Sequence, residues 1–215
     1  YSSVAAGRSH SLATSSDGQV FSWGAGLLAG HAEVMAVPTL LPALSQFYVC
    51  CVSAGAHHSL AVTDKGAIYS WGHGTLALGH GNAEACPEPK RVEALRDQRM
   101  CMVAAGLFHS LAVSCAGGLY SWGEGDFGQL GHGGKNHQPL PKRVEAEGLQ
   151  EGVRTVAAGD HFSVAITDSG ALYTWGSNDC GQLGHGDLSY SFRPKQVEAL
   201  QQERVRCVAA GSEHA

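Results

Sequence analysis

The sequence is poor in charge. Asp, Glu, Lys and Arg make up 15% of its 215 residues and the formal net charge is −5, which leaves no basic footprint for a phosphate backbone. A nucleic-acid ligand is not expected. No apolar run approaches the ~18 residues that a membrane-spanning helix needs, and Tyr1 opens on a patterned segment with no signal-like or transit-like stretch before it. The seven cysteines contain no Cys-x-x-Cys pair or other zinc spacing. Gly72-His73-Gly74 and Gly123-Glu124-Gly125 are rich in glycine, but no Gly-Lys-[Ser/Thr] follows to cradle a nucleotide. No Gly-x-Ser-x-Gly elbow presents a nucleophile near Ser59, Ser110 or Ser163. No catalytic, cofactor-binding or metal-ligating residue is therefore assigned, no cofactor is expected, and the chain is read as no enzyme.

What the sequence does have is repetition. Trp-Gly pairs stand at Trp23, Trp71, Trp122 and Trp175, 48, 51 and 53 residues apart. A period near fifty signals a repeat architecture whose units bury their apolar faces on one another. The third unit shows every element. Met102–Gly106, His109–Val113 and Gly118–Gly123 are three short apolar runs, and after a glycine-rich loop Pro141–Ala146 alternates as a half-exposed fourth. Each unit thus predicts a four-stranded sheet, with units at about 1–48, 49–99, 100–152 and 153–204, and the start of a fifth at 205–215.

The small residues have a geometric meaning. Ala5-Ala6-Gly7, Ala54-Gly55, Ala104-Ala105-Gly106, Ala157-Ala158-Gly159 and Ala209-Ala210-Gly211 fit a place where strands crowd around an axis. Asp17-Gly18, Lys65-Gly66 and Ser169-Gly170 sit at hairpin spacing between the second and third runs. The tryptophans, each two residues after Phe21, Tyr69, Tyr120 or Tyr173, are predicted to wedge between neighbouring sheets. Lys90-Arg91-Val92-Glu93, Lys142-Arg143-Val144-Glu145 and Lys195-Gln196-Val197-Glu198 read as a solvated outermost edge that resists pairing. Cys50 and Cys101 share one repeat column, and Cys51 and Cys207 share the next with Met102 and Thr155. Buried strand thiols in a reducing compartment, cytoplasmic or nuclear, are the expectation.

Four-stranded units repeated radially make a β-propeller. The Trp-Asp and double-glycine marks of two other propeller repeats are missing. Instead AAGDHFSVAITDSGALYTWGSNDCGQLGHG, from Ala157 to Gly186, and AAGLFHSLAVSCAGGLYSWGEGDFGQLGHG in the third unit resemble the repeat of the regulator of chromosome condensation family. The resemblance covers essentially the whole chain and implies an all-β, seven-bladed propeller, of which four blades and the start of a fifth are present. On that count the chain is expected to be part of a longer propeller. Two departures stand out. In the first unit Gly24–His31 replaces Gly-Gln-Leu-Gly-His-Gly, which predicts a trimmed loop, and in the second Leu76-Ala77-Leu78-Gly79 replaces Gly-Gln-Leu-Gly.

Repetition also disposes of the histidines. His10, His58, His109 and His214 recur once per unit, as do His31, His80, His132 and His185, so they are spread around a ring. Each is expected to hydrogen-bond neighbouring backbone, and Phe162 in the first set marks that position as packing. His57 and His58 are adjacent on a strand and face opposite ways. Specificity is left to loops that vary: Gly125-Asp126-Phe127-Gly128, Asn136-His137-Gln138, Ser177-Asn178-Asp179-Cys180 and Asp187-Leu188-Ser189-Tyr190.

The expected function is a non-catalytic scaffold that binds protein partners through the loop faces, without nucleic acid or membrane. The resemblance implies two alternatives: a guanine-nucleotide exchange factor for a Ran-like small GTPase, and a recognition module of a HECT-type ubiquitin ligase. The family's ultraviolet-B photoreceptors carry Gly-Trp-Arg-His-Thr units. Gly7-Arg8-Ser9-His10, Gly55-Ala56-His57-His58 and Gly106-Leu107-Phe108-His109 have no such Trp, so photoreception is not expected.

Overall fold

A computed structural model describes residues 3–73 and 75–215; Tyr1, Ser2 and Gly74, the last within the glycine-rich Gly72-His73-Gly74, lie outside the described residues. The chain builds four antiparallel sheets, each in simple up-and-down order. The first holds β1 (Ser3–Ala6), β2 (His10–Thr14), β3 (Val20–Gly24) and β4 (Met35–Leu40). The second holds β5 (Val49–Ala54), β6 (His58–Thr63), β7 (Ile68–Gly72) and β8 (Cys86–Arg91). The third holds β9 (Met100–Ala105), β10 (His109–Ser114), β11 (Leu119–Gly123) and β12 (Gln138–Arg143). The fourth holds β13 (Val153–Ala158), β14 (Phe162–Thr167), β15 (Leu172–Gly176) and β16 (Ser191–Gln196). The four expected blades are present. Residues 205–215 contain no strand; Val208 and Ala210 pack on Phe162, Val164 and Leu183 instead. Their run would take its ladder bonds from a second strand, of which only His214 and Ala215 are in the sequence.

Hydrophobic layers lie between the sheets. Trp71 packs with Leu12 and Val20 of the first sheet and with Leu44 in the turn after it, and Trp122 with Leu60, Val62 and Ile68 of the second. Trp175 likewise joins Leu111, Val113 and Leu119 of the third. Each tryptophan is a wedge against the preceding sheet, and all three are wholly buried. Trp23, in the first of the four sheets, is half-buried. At about 150–250 Å² apiece, each buried indole contributes several kcal/mol to its interface.

The first strands converge as their small residues require. A Cβ added to Gly55 would stand 2.4 Å from the Gly106 carbonyl oxygen, and one added to Gly106 would stand 2.6 Å from that of Gly159. At the other end the hairpin glycines adopt positive φ, 76° at Gly18 and 80° at Gly66. Their carbonyls accept from Val49 N and Met100 N, the first residues of the next sheet's inner strand, at 3.0 Å each.

Three expectations change. The fourth strand of the third sheet is Gln138–Arg143 rather than Pro141–Ala146. Val92, Val144 and Val197 follow their strands, are buried, and donate backbone N–H to Ile68, Leu119 and Leu172 at 2.8–2.9 Å. The Lys-Arg-Val-Glu motif is thus a solvated strand end followed by an apolar anchor. The thiols are not buried either: Cys50, Cys101, Cys115, Cys180 and Cys207 are exposed and Cys51 and Cys86 half-buried, all free. β5 and β9 begin with a buried residue, Val49 and Met100, and the next residue, Cys50 or Cys101, turns outward. The first sheet's loop is short as expected, and it winds into a helical turn, Gly26–Ala29.

Candidate protein-binding face

The turn after each first strand and the loop after each third strand lie at the same end of a sheet. Ala25 N donates to Ser9 O, His73 N to His57 O, Glu124 N to Phe108 O and Ser177 N to His161 O, all at 2.9–3.0 Å. One face of the molecule is therefore built from the two variable residues of each Gly-x-x-[His/Phe] turn together with the glycine-rich loops. The first variable residue lines a central groove of about 580 Å³, where Arg8, Ala56, Leu107, Asp160 and Ser212 follow one another. Leu107 N donates to Asp160 O at 3.3 Å and Asp160 N to Ser212 O at 3.0 Å. The Ser212 hydroxyl also donates to the Asp160 carboxylate.

In the second, third and fourth sheets the second variable residue, His57, Phe108 or His161, carries a ring. His57 stacks on Phe108 with centroids 4.8 Å apart and planes 6° from parallel, and its edge meets His73 at 5.8 Å. Burial lowers the His57 pKa, helped by the nearby His73 and Arg8 charges. On the neighbouring sheets His161 lies 4.3 Å from Phe127, which is 6.1 Å from Tyr190. The Tyr190 hydroxyl donates to Asp179. Burial raises the Glu124 pKa, and Asp126 adds to the shift.

The loops expected to vary are brought together in part. Phe127, Asp179 and Tyr190 meet, and His137 Nδ1 accepts from Gly125 N at 3.1 Å. Leu188 is exposed. Asn178 is not a surface residue: it is wholly buried, its amide donates to Asp187 O and Ser189 O at 2.8 and 3.2 Å, and its oxygen accepts from Leu183 N. It is the staple that shapes the loop. The sequence analysis names Arg8, His57 and Phe108 without assigning them to a binding face and leaves out Asp160 and His161, although two changing residues inside an unchanging Gly-x-x-[His/Phe] frame are the available signal.

The repeated histidines make a contact different from the one expected. His10, His58 and His109 reach, through Nε2, the hydroxyls of Ser59, Ser110 and Ser163 in the next sheet, at 2.7, 2.8 and 3.0 Å. Those hydroxyls donate to the carbonyls of Leu28, Ala77 and Gln129 at 2.7–2.8 Å. With the hydroxyl proton committed to a carbonyl, Nε2 carries the ring proton and donates. Burial lowers His10 to about 4 and His58 and His109 to about 3, so the rings are neutral at pH 7. A serine 3 Å from a histidine resembles a nucleophile and its base, but these serines are wholly buried and their protons point at backbone. The relays join sheet to sheet. His31, His80, His132 and His185 do the same within a sheet, meeting Ser22, Ser70, Ser121 and Thr174 at 2.9–3.1 Å.

Trp122 Nε1 and Trp175 Nε1 donate to Ala77 O and Gln129 O, the same carbonyls that the serines use, at 2.7 and 2.8 Å. Trp71 Nε1 is buried without a partner, although the matching carbonyl, Leu28 O in the helical turn Gly26–Ala29, accepts from Ser59.

Residues 1–215, which form sixteen strands in four such sheets among the described residues, match the RCC1-like domain. The chain belongs to the RCC1-like domain family. It is 40% identical over 219 residues to the human E3 ubiquitin-protein ligase HERC2, covering 98% of this chain and 4% of that protein. It is 40% identical over 139 residues to the Arabidopsis thaliana ultraviolet-B receptor UVR8, covering 64% of this chain and 31% of the receptor. Human WBSCR16 superposes with a TM-score of 0.86 at 26% identity, over 97% of this chain and 55% of that one. Prp20p from Saccharomyces cerevisiae gives 0.84 at 26%, over 98% and 53%. The chain thus spans about half of the solved RCC1-type propellers and is a partial propeller. Among the described residues no helix is long and apolar enough to cross a membrane.

Proposed function

We propose that this chain is a non-catalytic recognition module that binds protein partners through the face formed by its Gly-x-x-[His/Phe] turns and glycine-rich loops. The observation that carries the reading is the ring set His57–Phe108 and Phe127–His161–Tyr190, held on loops of neighbouring sheets above a rigid framework. Aromatic anchors on rigid supports suit protein recognition, since they bring large contact area with little entropy to lose. Residues 1–215 act as one domain in this reading, with one sheet per repeat. In cells that hold the intact protein, a photo-crosslinking residue at Phe127 or His57 is expected to trap proteins, and one at Gln98, among the exposed connections between sheets, is not. Trapping from Gln98 alone would defeat the reading.

A second reading has its own support. Prp20p, studied for its binding to Gsp1p and histones, shares the fold at 26% identity, so exchange on a Ran-like GTPase is the enzymatic alternative. Release of labelled GDP from such a GTPase decides: a recognition module leaves the rate unchanged, and an exchange factor accelerates it. Likeness to HERC2 over 98% of this chain supports a third, in which the module serves a larger ubiquitin ligase.

A further inference from the structure

Two thiols of the third sheet, Cys101 and Cys115, stand where neighbouring sheets hold other chemistry. Each inner strand opens on a buried residue opposite the last residue of the second strand: Val49 pairs with Thr63, Met100 with Ser114 and Val153 with Thr167. The next residue along each strand makes a second pair of positions, Cys50 with Asp64, Cys101 with Cys115 and Arg154 with Asp168. Of these three sheets the third alone has sulfur at both. It is also flanked on either side, by the second sheet through Trp122 and by the fourth through Trp175, so the pair sits inside the array.

Backbone geometry brings the two side chains together. The pairing of β9 with β10 steps from Met102 opposite Val113 to Met100 opposite Ser114, which leaves Cys101 as the extra residue of a bulge. A bulge re-aims the side chain it carries, and Cys101 Sγ turns to Val113 O at 3.5 Å. Cys115 follows Val113 by two residues, the spacing at which a strand returns a side chain to the same face. Its N–H donates to Arg99 O at 2.7 Å, which holds it beside the start of β9. The Cys115 thiol is thereby a hydrogen-bonding neighbour of the Cys101 thiol. The second sheet repeats the arrangement, with the Asp64 carboxylate acting on Cys50. Both third-sheet cysteines are exposed and free. They lie at the end of the sheet away from the Gly-x-x-[His/Phe] turns, since Cys115 opens the hairpin in which Ser114 N donates to Gly118 O at 2.9 Å.

We infer that Cys101 and Cys115 are a redox-active dithiol, a modification site that exchanges with a low-molecular-weight disulfide such as oxidised glutathione to form an intramolecular bridge. In the first step the Cys115 thiolate attacks one sulfur of the glutathione disulfide; that S–S bond breaks, and one glutathione leaves as thiolate and takes up a proton. In the second, Cys101 gives its proton to water and attacks Cys115 Sγ; the mixed disulfide breaks and a second glutathione leaves. Two protein thiols are oxidised and one glutathione disulfide is reduced to two thiols. Desolvation first, and then the neighbouring Cys115 thiol, push Cys101 up to about 11, so at neutral pH Cys101 is the protonated partner and enters second. Once Cys115 carries glutathione it holds no negative charge beside Cys101, and that part of the shift is lifted. The site is separate from the loop face and stands whichever partner that face binds.

The test exposes the intact, reduced protein to oxidised and reduced glutathione at equal millimolar concentrations, blocks the remaining thiols with N-ethylmaleimide and maps the peptides by mass spectrometry. The bridge between Cys101 and Cys115 is expected to outnumber the glutathione adduct of Cys115 at least tenfold, because a thiol tethered beside its target has an effective concentration above that of the glutathione. Cys180, whose neighbours are Glu213 and Asp179 and not a thiol, should stop at the adduct. Cys101→Ser should leave Cys115 as a lasting adduct, and Cys115→Ser should lower the oxidation of Cys101 at least tenfold; both residues are exposed, so folding is retained. A Cys115 adduct that persists in the parent protein would overturn the dithiol. So would a bridge from either cysteine to Cys51, the other thiol that Cys101 senses, or bridging between two molecules in place of within one.

Discussion

At the scale of the residue, position in the array decides what the same side chain contributes. Trp122 is wholly buried between the second and third sheets and donates to Ala77 O, whereas Trp23, in the first of the four sheets, is half-buried. Trp122→Ala is expected to cost about 3–5 kcal/mol. In residues 1–215 taken by themselves, Trp23→Ala should cost about 1–2 kcal/mol, in proportion to the apolar area it buries there. Urea denaturation of the two variants measures the gap, and equal losses would contradict the wedge role. Asn178 and Phe127 differ in a related way. Both stand in loops that change between repeats, yet one is a buried staple and the other a ring on the face. Composition marks both as loop residues; only the path of the loop separates them.

At the scale of the element, the inner strands are controlled by close approach. Gly106→Ala would place a Cβ 2.6 Å from the Gly159 oxygen and 2.3 Å from the His109 ring. A loss of about 1–3 kcal/mol is expected from such overpacking. Gly134→Ala meets nothing within 4 Å and should be neutral to within about 0.5 kcal/mol. Thermal unfolding of the pair checks both. The four strands of each sheet and the hairpin turns were legible because an apolar run bounded by glycine leaves few options. The end of the outer strand was not, since Lys-Arg-Val alternates as a strand does while Val144 is in fact drawn inward to Leu119 O. The exposure of Cys50 and Cys101 was illegible for the same reason: at period two, a shift of one residue reverses the face.

For the whole molecule, the histidine relays make stability depend on pH. Unfolded, each imidazole binds a proton below its ordinary 6.5. Folded, burial holds His10 at about 4 and His58 and His109 at about 3. Between those values the unfolded chain carries more protons, so stability is full above pH 6.5 and falls as the pH drops toward 4. Each of the three can lower the folding constant by up to about tenfold per pH unit. Urea midpoints at pH 7.5, 6 and 5 should fall in that order. His58→Phe, which copies the Phe162 of the matching position, should flatten the decline, and a pH-independent midpoint in the parent chain would contradict it.

The sequence by itself determined the unit and its number of strands, because a period near fifty with fixed Gly, His and Trp positions is written along one dimension. It also pointed to a packing role for those repeated residues, since repetition spreads them around an axis. Only the tertiary structure decided what they touch: His58 finds Ser110, 52 residues away, and His57 finds Phe108. Contacts of that kind follow from the stacking of sheet on sheet.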